Sequence, residues 1–198
     1  DLDDKLALLE RCGADYTLVL PFDAETASLE PCDFVEKLAL SGLGAKALVL
    51  GYDVAFGRAR QGTYEFLQSR SRAGGFTLEQ VPPYYLAGRA VSSTWVREEL
   101  ALGNLAALPA LLGRQHSVHG RVQPGFQRGR NVLGFATANL DPGPLLLPPN
   151  GVYACLARCG GASYAAATNL GFNPSCGGDK GSLEAHILDF SGGIYGKD

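Results

Sequence analysis

The sequence has no methionine, one tryptophan and three histidines among its 198 residues. It also lacks any apolar run near the roughly 18 residues that a membrane-spanning helix needs, since runs such as ALVLG (47–51) are far shorter. A formal net charge of −3 leaves no large basic field for binding nucleic acid. There is no charged start followed by an apolar run, so no secretory signal is visible. We therefore expect neither a membrane nor a nucleic-acid partner.

Cysteine is also scarce, and its spacing does not indicate a metal site. The closest pair has the C-x3-C spacing, whereas zinc sites usually combine C-x2-C pairs or a cysteine pair with a histidine pair. We expect free, mostly buried thiols and a reducing, cytoplasmic environment. The five cysteines are Cys12, Cys32, Cys155, Cys159 and Cys176.

Two common catalytic signatures are absent as well. No G-x4-G-K followed by serine or threonine occurs, so P-loop chemistry is excluded, and no G-x-S-x-G indicates a hydrolase. The glycine-rich GLGAKA (42–47) precedes a predicted strand instead of following one, so it is interpreted as a loop that ends a helix.

The first hundred residues alternate between strand and helix patterns. Hydrophobic residues make up 46% of the chain, which is enough for a core. Buried strands are predicted at 16–22 and 46–53, and a third strand, alternating in its first residues, at 76–83. Helices are predicted at the start of the chain up to Gly13, at 31–40 and at 63–75. Strands separated by helices imply parallel pairing and a doubly wound α/β layer.

Three hydroxyl side chains and one arginine converge near residue 92. Ser92, Ser93 and Thr94 stand at a predicted helix start and Arg97 lies one turn further on, a combination that suits a phosphate. An ordinary N-cap with a surface arginine is the alternative. A second short helix is predicted at 105–112, where Pro109 should disturb it.

The pattern changes from His119 onward, where short apolar runs are separated by glycine and proline every 10–15 residues or so. This spacing predicts a small antiparallel barrel. With LLGRQHS (111–117) as the boundary, the chain divides into an α/β module at 1–113 and a β module at 114–198.

Residues 120–140 contain the most unusual stretch, GRVQPGFQRGRNVLGFATANL. Thr137 and Asn139 are two residues apart, so a strand would place both side chains on one face. Their oxygens are hard ligands suited to Mg²⁺ with phosphate, and the glycine-rich loop could close over that phosphate. A polar strand face after a mobile loop is the alternative.

Two carboxylates complete the set of candidate residues. Glu184 in SLEAHILDF is isolated early in a strand and could act as a general base on a hydroxyl; a solvated sheet-face glutamate is the alternative. Asp53 follows a predicted strand at its carboxyl end, the ligand side of an open parallel sheet. Asp53 could equally well cap a helix or brace the loop instead of contacting a ligand.

In this order, the segments resemble the prokaryotic bifunctional riboflavin kinase/FMN adenylyltransferase family, also called FAD synthetase. The resemblance covers nearly the whole chain, and the ordered set is much more specific than any single piece. The matching segments are LVLGYDVAFGRARQG, AVSSTWVREEL, LLGRQHSVHGRV, GR-x3-GF-x-TAN with alanine before TAN, LPPNGVYA, NLGFNPS and LEAHILDF-x4-YG.

The resemblance implies a Rossmann-like nucleotidyltransferase module and a flavokinase β-barrel. The barrel would phosphorylate riboflavin with ATP and Mg²⁺ to give FMN, and the first module would adenylylate FMN to FAD with release of pyrophosphate. By this analogy Thr137 and Asn139 take the magnesium and ATP-phosphate roles, and Glu184 is the base. Gly125, Gly129 and Arg130 would lie in the flap around the nucleotide.

In the first module, the resemblance gives Asp53 an active-site position. It makes Ser92, Ser93, Thr94 and Arg97 the phosphate-contacting SSTxxR motif. The family's HxGH nucleotide loop would lie before residue 1 and its C-terminal helix after the YG motif. We therefore expect the 198 residues alone to make FAD poorly.

One residue departs from the family pattern within the chain. Ala136 replaces the proline of the family's PTAN, which keeps both ligands but removes a fixed φ angle. Two alternatives remain open: a flavin- or nucleotide-binding module without turnover, and a riboflavin kinase alone.

Overall fold

The structure, a computed structural model, describes residues 2–123, 137–141, 143–172 and 181–190. The chain divides into two compact units. One is formed by Lys5–Val91, and the other by Ser92–Asp198 together with Asp1–Asp4.

The first unit alternates helices with short strands. Its core contains Val35, Leu67 and Phe76, with Leu48 and Leu50 packed against them. The elements are α1 (Leu2–Arg11), α2 (Ala24–Ser28), α3 (Pro31–Asp33) continuing as a π-helix (Phe34–Gly42), β1 (Ala47–Gly51), a 3₁₀ turn (Arg58–Arg60), α4 (Tyr64–Gly74), β2 (Thr77–Val81), β3 (Tyr85–Leu86) and β4 (Arg89–Ala90).

Strands β1 and β2 pair in parallel, as the alternating pattern predicts. Helix α4 makes the crossover between them. It begins at Thr63, whose hydroxyl accepts a hydrogen bond from the Phe66 backbone N–H, and it ends at Gly75 in the left-handed conformation with φ +67°. Together the two strands and α4 form a β-α-β unit.

The predicted strand at 16–22 is wrong. Among the described residues this segment belongs to no strand, and the side chains of Tyr16 and Phe22 are 96% and 87% exposed. An apolar run favours a strand only where another strand can pair with its backbone N–H and C=O groups. In the described residues the doubly wound layer is therefore reduced to one parallel pair.

The second unit begins with two helices and continues as one antiparallel sheet. Pro109 lies in the first turn of α6, where a missing N–H costs no hydrogen bond, so the predicted disturbance does not occur. The elements are α5 (Ser93–Ala101), α6 (Leu108–Leu112), β5 (Val122–Gln123), β6 (Thr137–Leu140), β7 (Gly151–Cys159), β8 (Ala162–Phe172) and β9 (Gly181–Ile187).

The sheet has the order β5-β6-β9-β8-β7, and all its pairings are antiparallel. The predicted antiparallel architecture is confirmed. Within the described residues β5 and β7 are edge strands that do not pair with each other, so the sheet is not closed into a barrel.

The cysteine prediction is half right. The four cysteines in the described residues are free, but Cys12 and Cys155 are exposed and Cys32 and Cys159 are half-buried. Position decides their burial: Cys12 follows a helix with no buried residue, and Cys155 lies on the edge strand β7. Cys176 lies outside the described residues.

Candidate functional site

The sheet of the second unit brings Thr137, Asn139 and Glu184 to one face. Asn139 on β6 lies directly opposite Glu184 on β9, and Thr137 lies opposite His186. Directly opposed residues of antiparallel strands have Cβ atoms about 4.5–5.5 Å apart on the same side of the sheet. The two-residue spacing thus places all three predicted side chains together.

The opposite face of the same strands explains why the register is fixed. Ala138, Leu183 and Ala185 alternate with the polar residues and are buried, with exposures of 3%, 7% and 7%. A slip of one residue would turn these side chains outward and bury the polar ones. Core packing therefore positions the candidate residues.

Two rows of side chains run across this polar face. One row contains Gln123, Asn139, Glu184, Asn169 and Val152, from β5 to β7. The second contains Thr137, His186, Ala167 and Ala154.

Sequence reasoning did not select Asn169, His186 or Gln123 as candidate site residues. His186 could have been found, because it follows Glu184 by two residues on one strand. Asn169 and Gln123 could not, because their proximity depends on pairing between distant segments.

The donor atoms of this face suit a magnesium ion. Thr137 offers a hydroxyl, Asn139 a carboxamide oxygen and Glu184 a carboxylate, and all three residues are half-buried. No group of three or more His, Cys, Asp or Glu residues that could hold a metal occurs in the described part of the chain. A Mg²⁺ here would therefore depend on these oxygens and on the phosphate it accompanies.

The predicted flap residues cannot be added to this description. Gly125, Gly129 and Arg130 lie outside the described residues, as does Ala136. Their roles remain predictions.

Helix α5 carries the second group of candidates. The Ser92 hydroxyl accepts a hydrogen bond from the Trp95 backbone N–H at 3.3 Å, so it caps the helix. Ser93, Thr94 and Arg97 are exposed. Spacings of three and four residues bring Ser93 and Thr94 to the side of the helix that carries Arg97. Hydroxyls, helix N-terminus and guanidinium therefore share one exposed region, as a phosphate would require.

Asp53 lies where the sequence predicts, in an exposed turn beyond the carboxyl end of β1. The following loop is closed by mutual backbone hydrogen bonds between Phe56 and Gly62. Within it, Gly57 has φ +69° and leaves no room for a Cβ, which would lie 2.9 Å from Pro31 Cγ. Asp53 thus lies in the turn just before this loop of the first unit, whereas α5 belongs to the second.

His116, between α6 and β5, has a shifted pKa. Burial first, and the nearby positive charge of Arg114 second, lower the pKa of its imidazole. Its Nε2 atom is buried without a hydrogen-bond partner in the described structure. This histidine belongs to the connection before the sheet and lies on neither of its rows.

Comparison with known proteins assigns both halves of the chain. Residues 1–95 match the FAD synthetase family model, and residues 112–198 match the riboflavin kinase family model. The two matches place this chain beside families of flavin-nucleotide transferases, and the antiparallel sheet with its polar face lies within the second match.

Whole-chain relatives narrow this class. The Escherichia coli K12 bifunctional riboflavin kinase/FMN adenylyltransferase is 36% identical over 197 residues, which cover 99% of this chain and 63% of the relative. The Bacillus subtilis enzyme of the same name is 30% identical over 201 residues, 98% of this chain and 62% of the relative. The chain belongs to the bifunctional riboflavin kinase/FMN adenylyltransferase family, and it spans just under two thirds of the length of these relatives.

A solved structure shares the fold over the whole chain. It is a crystal structure described as a macrolide-efflux protein from Streptococcus pneumoniae, with a TM-score of 0.86 and 29% identity over all of this chain and 63% of that one. The description as a macrolide-efflux protein applies to the Streptococcus pneumoniae protein. No helix in the described ranges of this chain has both the length and the apolar character needed to cross a membrane.

Proposed function

We propose that this protein catalyses two successive steps of FAD biosynthesis. The first is phosphorylation of riboflavin by ATP to give FMN, and the second is adenylylation of FMN to FAD with release of pyrophosphate. The observation that carries the proposal is the placement of Thr137, Asn139 and Glu184 on one polar face within a domain matched to riboflavin kinase.

The proposed division of labour follows the two modules. Adenylylation belongs to residues 1–113 and phosphorylation to 114–198, supported by family matches at 1–95 and 112–198. We assign the parallel β1–β2 pair to a Rossmann-like layer and the antiparallel sheet to a flavokinase barrel, because the family match favours both. The cytoplasmic location and the lack of nucleic-acid and membrane partners remain predictions.

In the kinase step, Glu184 accepts the proton of the terminal ribityl hydroxyl of riboflavin. The hydroxyl oxygen then forms a bond to the γ-phosphorus of ATP, the bond between that phosphorus and the bridging oxygen breaks, and ADP leaves. Thr137 and Asn139 would hold Mg²⁺, which when bound neutralises charge on the phosphate oxygens. Gly125, Gly129 and Arg130 are proposed to enclose the nucleotide phosphates.

In the adenylylation step, the exposed start of α5 binds phosphate. Ser93 and Thr94 supply hydroxyls, Arg97 supplies a guanidinium, and Ser92 orders the helix start through its cap. Asp53 is proposed to act on the flavin or nucleotide side of this module. Such chemistry depends mainly on positioning and charge neutralisation.

Glu184→Gln tests the kinase assignment. The carboxamide cannot accept the hydroxyl proton, so FMN formation should fall at least about 100-fold while ATP binding is retained. FMN is measured by chromatography after incubation with riboflavin, ATP and Mg²⁺. The control is Glu79→Gln, because Glu79 is an exposed strand glutamate of the other unit.

Unchanged turnover in Glu184→Gln would refute the base assignment. Flavin binding without product in the wild type would instead favour a non-catalytic binding module.

A further inference from the structure

Asn169 on β8 flanks the proposed base from the side opposite Asn139. Strand β9 lies between β6 and β8, so Glu184 is directly opposite Asn139 in one pairing and Asn169 in the other. All three side chains share one face, with neighbouring Cβ atoms about 4.5–5.5 Å apart. The carboxylate therefore lies between two carboxamides.

In the part of the chain that the structure describes, the surface next to Asn169 is open. Asn169 is exposed, and Gly171 follows it on the same face. A Cβ added to Gly171 would have, chain neighbours aside, one described atom within 4 Å, the Asn169 Nδ2 at 3.6 Å. As far as the described residues go, the amide group thus borders space above Gly171 that a substrate group can enter.

A carboxamide offers chemistry that Glu184 lacks. Its NH₂ group has two N–H donors and carries no charge. In the proposed reaction the hydroxyl oxygen loses its proton to Glu184 while it bonds to phosphorus, so partial negative charge develops on that oxygen. A hydrogen bond from a neighbouring N–H strengthens as this charge develops, and such an interaction raises kcat.

We propose that Asn169 is a catalytic residue of the kinase site, whose Nδ2 donates a hydrogen bond to the hydroxyl oxygen that Glu184 deprotonates. This inference rests on the proposed riboflavin kinase activity. It adds to the proposed site a residue of β8, a strand from which the kinase proposal uses no residue. The terminal hydroxyl of the substrate lies over Gly171, between the Glu184 carboxylate and the Asn169 amide.

Two substitutions separate this role from packing. Asn169→Ala removes the donor and should lower kcat about 100-fold with the KM for ATP unchanged. Asn169→Asp preserves size but removes the N–H donors and sets a second carboxylate opposite Glu184, so kcat should fall further. A packing role gives the reverse order, because Asp fills the space of Asn and Ala does not.

The matched control is Ser163→Ala. Ser163 is an exposed polar residue on the same face of β8, opposite Arg158 and away from Glu184. Its kcat should equal that of the wild type. Thermal unfolding of each variant of the full-length protein shows whether the fold is retained.

Riboflavin binding, followed by quenching of flavin fluorescence, distinguishes the two proposals. If the wild type makes FMN and kcat is unchanged in Asn169→Ala, the Asn169 inference is overturned and the kinase proposal stands. If the wild type binds riboflavin without making FMN, the kinase proposal fails, and the Asn169 inference, which rests on it, is overturned as well. A wild type that neither binds nor reacts overturns both.

Discussion

At the scale of single residues, His116 has a ring nitrogen that is buried without a partner in the described structure. Burial and the charge of Arg114 both disfavour its protonated form, so its pKa is lower in the folded chain than the ordinary 6.5. Between these two pKa values the unfolded chain binds more protons at this residue than the folded one. Stability therefore rises with pH across that window.

We predict that the chain loses stability as the pH falls below about 6.5 towards the lowered pKa of His116. The midpoint of urea unfolding, measured at several pH values, would show this slope. In His116→Gln the contribution should disappear. His119→Gln, at an exposed histidine, is the comparison and should retain the contribution of His116. Equal slopes in the wild type and His116→Gln would contradict the prediction.

The sequence allows the shared face of Thr137, Asn139 and Glu184 to be predicted in part. The alternation of residues along one strand is local, so Thr137 and Asn139 are assigned to one face without knowledge of the fold. That Glu184 faces Asn139 depends on which strands pair, and pairing joins residues far apart in the chain. The same reason hides Asn169 from sequence reasoning.

At the scale of elements, the sequence leaves open whether the serines at the start of helix α5 cap the helix or contact phosphate. The structure gives Ser92 and Ser93 different positions in this respect. The Ser92 hydroxyl satisfies the Trp95 backbone N–H, a group that no carbonyl of the helix reaches. Ser93 is exposed and makes no such capping bond. The helix cap therefore depends on the first serine, and the second is available to a ligand.

Ser92→Ala should lower the free energy of unfolding by about 1 kcal/mol through loss of the cap. Ser93→Ala should leave that free energy nearly unchanged. Chemical denaturation of both variants measures the difference. Equal destabilisation by the two changes would mean that the Ser92 hydrogen bond does not support the helix.

Elements with a strong local pattern agree with the structure, and the one predicted strand of the first unit that is wrong has no pairing partner among the described residues. The helix predicted at 63–75 and the strand at 46–53 correspond to α4 and β1, where capping residues and apolar periodicity act locally. The segment at 16–22 has the composition of a strand but no neighbouring strand in the described residues. The helix predicted at 31–40 is present, but its π-helical form over Phe34–Gly42 was not predicted, because the wider hydrogen-bond spacing has no distinctive residue pattern.

At the scale of the whole molecule, the two proposed reactions are assigned to two different groups of residues. The phosphate-binding candidates lie at the start of α5, and the proposed base lies on β9. The two groups lie on different elements of the chain. Damage to one should therefore spare the reaction assigned to the other.

Complementary substitutions test this separation. Glu184→Gln should lose FMN formation from riboflavin but still convert supplied FMN to FAD. Arg97→Gln should do the reverse, with FAD formation reduced about 10- to 100-fold by loss of a charge-assisted contact to phosphate. Both conversions are followed separately by chromatography of the full-length protein. Loss of both reactions in either variant would indicate one shared centre.

The alternation on β9 also limits which changes of chain length the protein can tolerate. Leu183, Ala185 and Ile187 are buried, and Glu184 and His186 lie on the other face. Deletion of one residue from the start of this strand would shift the residues after it by one position. Each of these side chains would then lie on the opposite face of the sheet. Homologues should therefore vary in length in the turns on either side of β9 and keep a constant number of residues within it.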